Sequence, residues 1–422
     1  MKYLPALAAV CLLFVSSVAS AQQISPNPNP VGNTISVNTS DAINDVSFTN
    51  HGTINFKNYA QNPALTNKSG ATLMNYGRLE TLGGYINNSG TVTNKSGGVL
   101  DNVGWIANES GGMLINESGG DLRVGSKLTN KSGGTVLNDG KMENYGTLIN
   151  ESGGTLINTG DWEGAGGNNH GTVFNNGQWN VGGGINHGTV INNGQWDQQR
   201  APEDGVFNLG SWTNNGTQRF LGFEEGFLYI NHGTLNNIGT LILKDTAILD
   251  TSGGSFANFG TLKGDGKIKG NYTDHGHIKP GNSAGVMTID GDYFKVDGTK
   301  EIELGGLFDG GGDKSLTEHD WLDVMGNVEL AGTLDVKLLG GFELHRGNVF
   351  NFLRVGGTLN GQYDGLDDGD LVGNFGGQDL FITYGGGDGN DVALFTNAVP
   401  EPTTVLIWSM LAGVGMTVRR RR

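Results

Sequence analysis

Cysteine is almost missing from this sequence. The single one, Cys11, lies in a segment that reads as removable, so disulfides cannot staple the mature chain. Proline is scarce, with 9 residues against 74 glycines, which excludes collagen, a fold that needs abundant proline beside glycine at every third place. Hydrophobic residues make up only 36%, low for a compact globule but enough for a thin core repeated along an axis. Basic residues are also few. The 26 Lys and Arg face 42 Asp and Glu for a net charge of −16, which argues against nucleic acid, whose phosphates need Lys and Arg. The acidic balance favours solubility outside the cell and leaves divalent cations open as partners. The sequence also lacks a phosphate loop, a nucleophile elbow and a zinc signature.

What is present begins at the two ends. Residues 1–21 read as a secretory signal: Lys2 is the positive start and Leu4 to Val15 is mostly apolar. Ala19-Ser20-Ala21 offers small residues to signal peptidase, which makes Gln22 the first mature residue. At the far end, Val399-Pro400-Glu401-Pro402 precedes an apolar run, 403–418, and then Arg419, Arg420, Arg421 and Arg422. The run is at the short limit for crossing a bilayer and is expected to form a short transmembrane helix, with the arginines on the cytoplasmic side. This tripartite tail, 399–422, resembles the PEP-CTERM sorting signal. The resemblance implies transient anchoring in the inner membrane and cutting near Pro-Glu-Pro by a membrane protease, exosortase. It also implies an exopolysaccharide-producing bacterium of Gram-negative type. Processing at both ends would remove Lys2 and the four terminal arginines, leaving 21 basic residues against 42 acids and a net charge of −21.

Between the ends, a short phrase recurs from about residue 50 to 263, after a lead-in over 22–49. Its longer form is Asn-x-Ser-Gly-Gly-Thr-Leu-x, as at Asn150 to Ile157, and its shorter form Asn-x-Gly-Thr-Leu-x, as at Asn144 to Ile149. The residues before each Asn line up: Thr72-Leu73-Met74-Asn75, Thr135-Val136-Leu137-Asn138, Thr189-Val190-Ile191-Asn192. The second position is nearly always apolar and the third varies freely. Because strand side chains alternate faces, the second position and the Asn point inward while the first and third face out. A four-residue strand with one apolar anchor must stack on copies of itself. Glycine serves the corners, and an inward Asn at each corner is expected to bond the backbone of the coils above and below. Asn138, Asn144, Asn150 and Asn158 close a unit of 20 residues, and Asn94, Asn102, Asn108 and Asn116 a unit of 22. Three short strands per turn is the geometry of a parallel β-helix, with about ten coils and a length of ~50 Å in this region. Hairpins in an antiparallel sandwich are the alternative, since Asn-Gly suits them too.

The phrase changes over 264–397. Ile278-Lys279-Pro280-Gly281-Asn282-Ser283-Ala284-Gly285 leads into Asp320-Trp321-Leu322-Asp323-Val324 and ends in Asp388-Gly389-Asn390-Asp391-Val392-Ala393-Leu394. This order resembles the end of the β-helical passenger of autotransporter-like adhesins, without their outer-membrane barrel. Pattern alone gives alternating strands that cap the solenoid.

Chemistry-bearing residues mostly fall into repeat slots. His51, His170, His187 and His232 all occupy Asn-His-Gly, which makes them turn residues. His275 and His277, on one strand face, could hold a transition metal, with Asp274 as the third ligand at hand. Glu109, Glu117 and Glu151 share a slot with Lys68, Lys95 and Lys131, which suggests solvated corners with stacked ion pairs. Trp162, Trp179, Trp196 and Trp212 take the inward second position and belong to the core. Gly386-Gly387-Asp388-Gly389-Asn390-Asp391 matches the first six positions of the calcium nonapeptide, so Asp388, Asn390 and Asp391 are calcium candidates. That motif needs tandem copies, and an ordinary acidic turn is the favoured reading. The expected fold is all-β, a right-handed parallel β-helix with a C-terminal β-rich capping segment and a short transmembrane helix. The expected function is non-catalytic: an exported surface or matrix protein of adhesin-like type, met by signal peptidase and exosortase, with extracellular polysaccharide a candidate ligand. A polysaccharide lyase or hydrolase is the alternative.

Overall fold

The computed structural model describes residues 22–37, 42–57, 63–200, 206–221, 227–244, 246–281, 283–311 and 313–396. The secretory signal, the Pro-Glu-Pro motif, the expected membrane helix at 403–418 and the terminal arginines lie outside these. The described chain is a column of short parallel strands in three sheets, of 19, 15 and 15 strands. The chain visits them in turn. Ala42–Asn44 belongs to the first sheet, Ser47–Asn50 to the second and Thr53–Phe56 to the third. Each strand then pairs in parallel with the one a coil later, as Thr135–Asn138 does with Thr155–Asn158. The register matches Thr135 to Thr155 and Asn138 to Asn158, the 20-residue unit, while Asn94 pairs Asn116, the 22-residue unit. Parallel stacking excludes the hairpin alternative for the repeat.

Alternation dictates what each strand buries. In Thr155-Leu156-Ile157-Asn158 the Leu and Asn are buried and the Thr and Ile half-exposed, and this pattern recurs along the column. The anchors form three inward files, such as Leu73, Val92, Leu114, Val136 and Leu156 in the second sheet, all within 1% of full burial. One Leu side chain removed from water is worth about 1.5–3 kcal/mol, too little to hold a lone four-residue strand, so stability comes from the pile.

The corner glycines do two different jobs. In Asn150-Glu151-Ser152-Gly153-Gly154, Gly153 has φ +82, in the left-handed region that suits glycine. Gly154 sits where a Cβ would come within 2.5 Å of Asn150 Oδ1, so it makes room for the corner amide.

Two successive coils before residue 200 are shorter. Asn158, Asn175 and Asn192 pair successively at intervals of 17 residues. In the first sheet Gly167 then stands beside Leu148 without an anchor of its own. Across the core, Trp162 stacks on Trp179 at 4.3 Å and Trp179 on Trp196 at 4.7 Å, filling the width that the glycines vacate. A cavity of about 60 Å³ remains between Gly167, Gly184, Leu148, Trp179 and Trp196.

The change of phrase at residue 264 does not end the column. The second sheet runs on through Tyr272–Asp274, Tyr293–Lys295 and Val328–Leu330 to Leu359–Gly361. The capping part is confined to the last strands: Leu371–Phe375, Gln378–Gly386 and Asp391–Thr396 pair antiparallel, and the last of them pairs antiparallel with Val349–Val355.

Candidate functional site

The corner asparagines build two continuous ladders. In the second sheet, Asn116 Nδ2 donates to Asn138 Oδ1 at 2.8 Å, Asn138 to Asn158 at 2.8 Å and Asn158 to Asn175 at 2.8 Å. In the first sheet, Asn108, Asn130 and Asn150 do the same at 2.8 and 2.9 Å. The sequence pointed to backbone partners above and below. The structure adds a side-chain partner one coil away, while backbone bonds supply the second acceptor, as from Asn138 Nδ2 to the Asp161 carbonyl at 3.1 Å. In the third sheet the same inward position holds residues such as Phe56, Val124, Gln198 and Leu243, all buried, beside only scattered asparagines such as Asn102 and Asn144.

The second-sheet ladder finishes in charge. Asn258 Nδ2 donates to Asp274 Oδ1 at 2.8 Å, and Lys295 Nζ donates to Asp274 Oδ2 at 2.7 Å with both side chains fully buried. Tyr293 Oη donates to the same carboxylate at 3.1 Å. Lys300 lies close by, fully buried with no hydrogen-bond partner for Nζ, in the anchor file between Ile278 and Leu334. Burial pushes its amine well below the ordinary lysine value. Burial likewise lifts the Asp320 carboxyl to about 8, against bonds from the Glu303 and Gly285 amides. Sequence reasoning passed over this cluster. Its signal was there in Gly298-Thr299-Lys300, the repeat's Gly-Thr-Leu with Lys in the anchor slot.

The outward residues divide the column into unlike faces. On the third sheet nearly every strand carries charge. Arg78 meets Asp101 at 2.9 Å, Arg123 meets Asp121 at 2.7 Å and Glu143 at 3.1 Å, and Arg219 meets Asp197 at 3.4 Å. A bond from Lys141 and another from Tyr145 hold the Glu143 carboxylate below its usual range, despite partial burial. Burial alone would raise Glu301, but bonds from Lys279 and Lys337 outweigh it and keep the group ionised. The second sheet differs. From Thr72–Asn75 to Ser255–Asn258, ten strands in unbroken register, no outward residue is charged. One outward file is mostly Thr and Ser, and the next holds Met74, Ile115, Leu137, Ile157, Phe174 and Ile191. At the corners beside this face, Lys95 pairs with Glu117, and Lys131 with Glu109 at 2.8 Å, the stacked pairs expected of that slot.

The remaining candidates fall as follows. His170 and His187 stack at 4.4 Å in consecutive turns, and His51 stacks on Tyr76 at 4.8 Å. His275 and His277 do not share a site with Asp274. His275 is a turn residue stacked on Phe259 and 3.3 Å from Asp297, His277 opens the next strand 3.6 Å from Glu301, and Asp274 points into the core. Alternation along a strand is broken here by the corner at His275-Gly276. Among the described residues, no group of three His, Cys, Asp or Glu is placed to hold a metal ion. Asp391 and Asn390 fasten the last hairpin to the column. Asp391 Oδ1 accepts from the Val355 amide at 2.9 Å, and Asn390 Nδ2 donates to the Val355 and Gly357 carbonyls at 3.0 and 2.6 Å. Asp388 lies in the turn between those strands. The four tryptophans are buried as expected, at 1–6% exposure. No protein-family model matches the chain, and no curated protein matches it.

Proposed function

We propose that the protein is exported, sorted through its C-terminal tail and displayed at the cell surface or in the extracellular matrix as a non-catalytic rod. Signal peptidase would cut before Gln22 and exosortase near Pro400-Glu401-Pro402, after transient anchoring through 403–418. The column is taken as right-handed, the hand that strand twist favours for parallel crossovers. Its role is presentation: a stiff acidic column offering repeated weak contacts, with extracellular polysaccharide as the ligand class. The observation that carries this reading is the division of labour in the repeat. Inward residues are spent on anchors and amide ladders, and outward carboxylates such as Glu143 and Glu301 are tied to neighbouring cations. A glycosidase acid needs the opposite, a carboxyl raised towards neutrality in a cleft.

The test is display. With an epitope inserted in the corner at Glu151-Ser152, surface labelling of intact cells should be strong for the native chain. It should drop to background for Pro400→Ala/Pro402→Ala, whose product keeps its tail by intact mass. Equal labelling with the tail retained, or release of sugar oligomers from matrix polysaccharide by purified protein, would overturn the proposal.

A further inference from the structure

We infer that the uncharged outer face of the second sheet is where two copies of this chain pair, sheet against sheet. The inference rests on this face alone and stands whether or not the chain is exported. The face is anomalous in a molecule of net charge −16: ten successive strands carry no outward charge, while the third sheet carries charge on most of its strands. General repulsion between acidic rods disfavours contact through the third sheet. The first sheet, otherwise uncharged from Tyr85–Asn88 to Phe227–Asn231, is interrupted by Lys127, so the second sheet offers the longer unbroken uncharged face. Its files are regular. Thr135, Thr155 and Thr172 stand one coil apart beside Leu137, Ile157 and Phe174, with no bulge in the register. Charged corner pairs, Lys95 with Glu117 and Lys131 with Glu109, flank it, which is the layout of an apolar patch inside a polar rim.

Periodicity selects the occupant. A partner must repeat its side chains at the rung spacing, ~4.8 Å, if contacts are to stay in step over the whole face. A second copy does so by construction, as in the dry interfaces between identical stacked sheets. The face is ~45 Å long and ~12 Å wide, so a pair buries about 1,000 Å² in total, the lower bound for a specific interface. A two-fold axis across the rods sets aliphatic file against aliphatic file and Thr against Thr, and closes the assembly at two. The face is centred between the rungs of Ile157 and Phe174, so the two copies of Ile157 are offset by about one rung, ~5 Å along the rods, across a sheet-to-sheet spacing of ~10 Å.

The full chain, with Cys11→Ser so that no native thiol remains, is the background for the test. Sedimentation velocity should give the mass of two chains, and Leu137→Lys/Ile157→Lys the mass of one, with circular dichroism and melting unchanged because both side chains point outward. Ile157→Cys should cross-link two chains through a bismaleimide reagent that spans ~10 Å, the spacing of packed sheets, and Glu143→Cys on the third sheet should not. A single-chain mass for the parent would overturn the inference. So would a two-chain mass that the Lys variants leave intact, which would trace association to another part such as the 403–418 run. If Ile157→Cys and Glu143→Cys cross-link equally, the contact is unspecific and the inference also fails.

Discussion

Asn138 shows what one corner side chain is asked to do. Its Nδ2 donates to Asn158 Oδ1 at 2.8 Å and to the Asp161 carbonyl at 3.1 Å, while its Oδ1 accepts from Asn116 at 2.8 Å. Asn138→Ala would leave buried groups on two neighbouring coils without partners, at a cost of about 1–3 kcal/mol in urea unfolding. Lys300 presents the reverse case, a residue whose removal should help. Its buried amine has no hydrogen-bond partner and sits in an apolar file, so Lys300→Met should stabilise the fold by about 1–4 kcal/mol at neutral pH. The sign with pH follows from the lowered amine. The unfolded chain holds that proton up to pH ~10.4 and the folded chain gives it up at lower pH, so the penalty fades and stability rises as pH climbs towards the unfolded value. Asp320 acts oppositely. Its folded carboxyl is raised to about 8, so its contribution is lost as pH rises from ~3.9, the unfolded value, to about 8. Above about 8 the Asp320 slope is spent, so between about 8 and 10 the parent should gain stability faster than the Met variant. Denaturation midpoints at the two limits of that window measure the difference, and parallel curves would refute it.

The strand-and-corner phrase was legible because its physics is local. Alternation alone places Leu156 and Asn158 inward and Thr155 and Ile157 outward, and the structure agrees residue by residue. Coil lengths of 20 and 22 could be counted between asparagines because the chain returns to the same corner in register. What could not be read needed knowledge of neighbours one coil away. The amide of Asn138 finds Asn158 only when the coils are stacked, and the backbone was the nearer guess. His275 and His277 looked like one strand face because Asp274 stands where the repeat has Asn, which hides that Asp274-His275-Gly276 is the Asn-His-Gly corner again. The change of phrase at 264 suggested a capping segment, but the column accepts Tyr272 and Tyr293 in the anchor file and continues. The tryptophan stack tests how tightly such files are packed. Trp179 is 2% exposed between Trp162 and Trp196, and opposite it the glycines at 167 and 184 cannot fill a hole. Trp179→Ala should therefore cost about 3–5 kcal/mol, the range for a buried aromatic whose site cannot collapse. Trp105, outward and 41% exposed beside Tyr85, should cost within about 0.5 kcal/mol on the same change. Comparable losses at the two sites would mean that the stack is not a packed core.

At the scale of the whole molecule, a column of parallel coils has two open ends, and each exposes strand edges that other chains can extend. The described N-terminal end is guarded by Pro26, Pro28 and Pro30, which have no amide hydrogen to offer, beside Asn29, whose side chain starts the second-sheet ladder by donating to Asn50 at 2.7 Å. The other end is closed by a change of direction. Val349–Val355 pairs antiparallel with Asp391–Thr396, which in turn pairs with Gln378–Gly386, so the last parallel strand of the first sheet meets a hairpin instead of solvent. Asp391, Asn390 and the Thr396 hydroxyl, which donates to the His345 carbonyl at 2.6 Å, fasten that hairpin to the final coil. Ending the chain after Gly361 strips this cover from Val349–Val355 and bares buried side chains such as Phe350 and Phe352. The truncated chain should keep the β signal of the column, because each coil depends on its neighbours and not on the distant end. It should also associate end to end, giving light scattering that grows with concentration and elongated particles by electron microscopy. A truncated chain that stays dispersed at the concentration of the parent would show that the hairpin is an appendage and that the last coil protects its own edge.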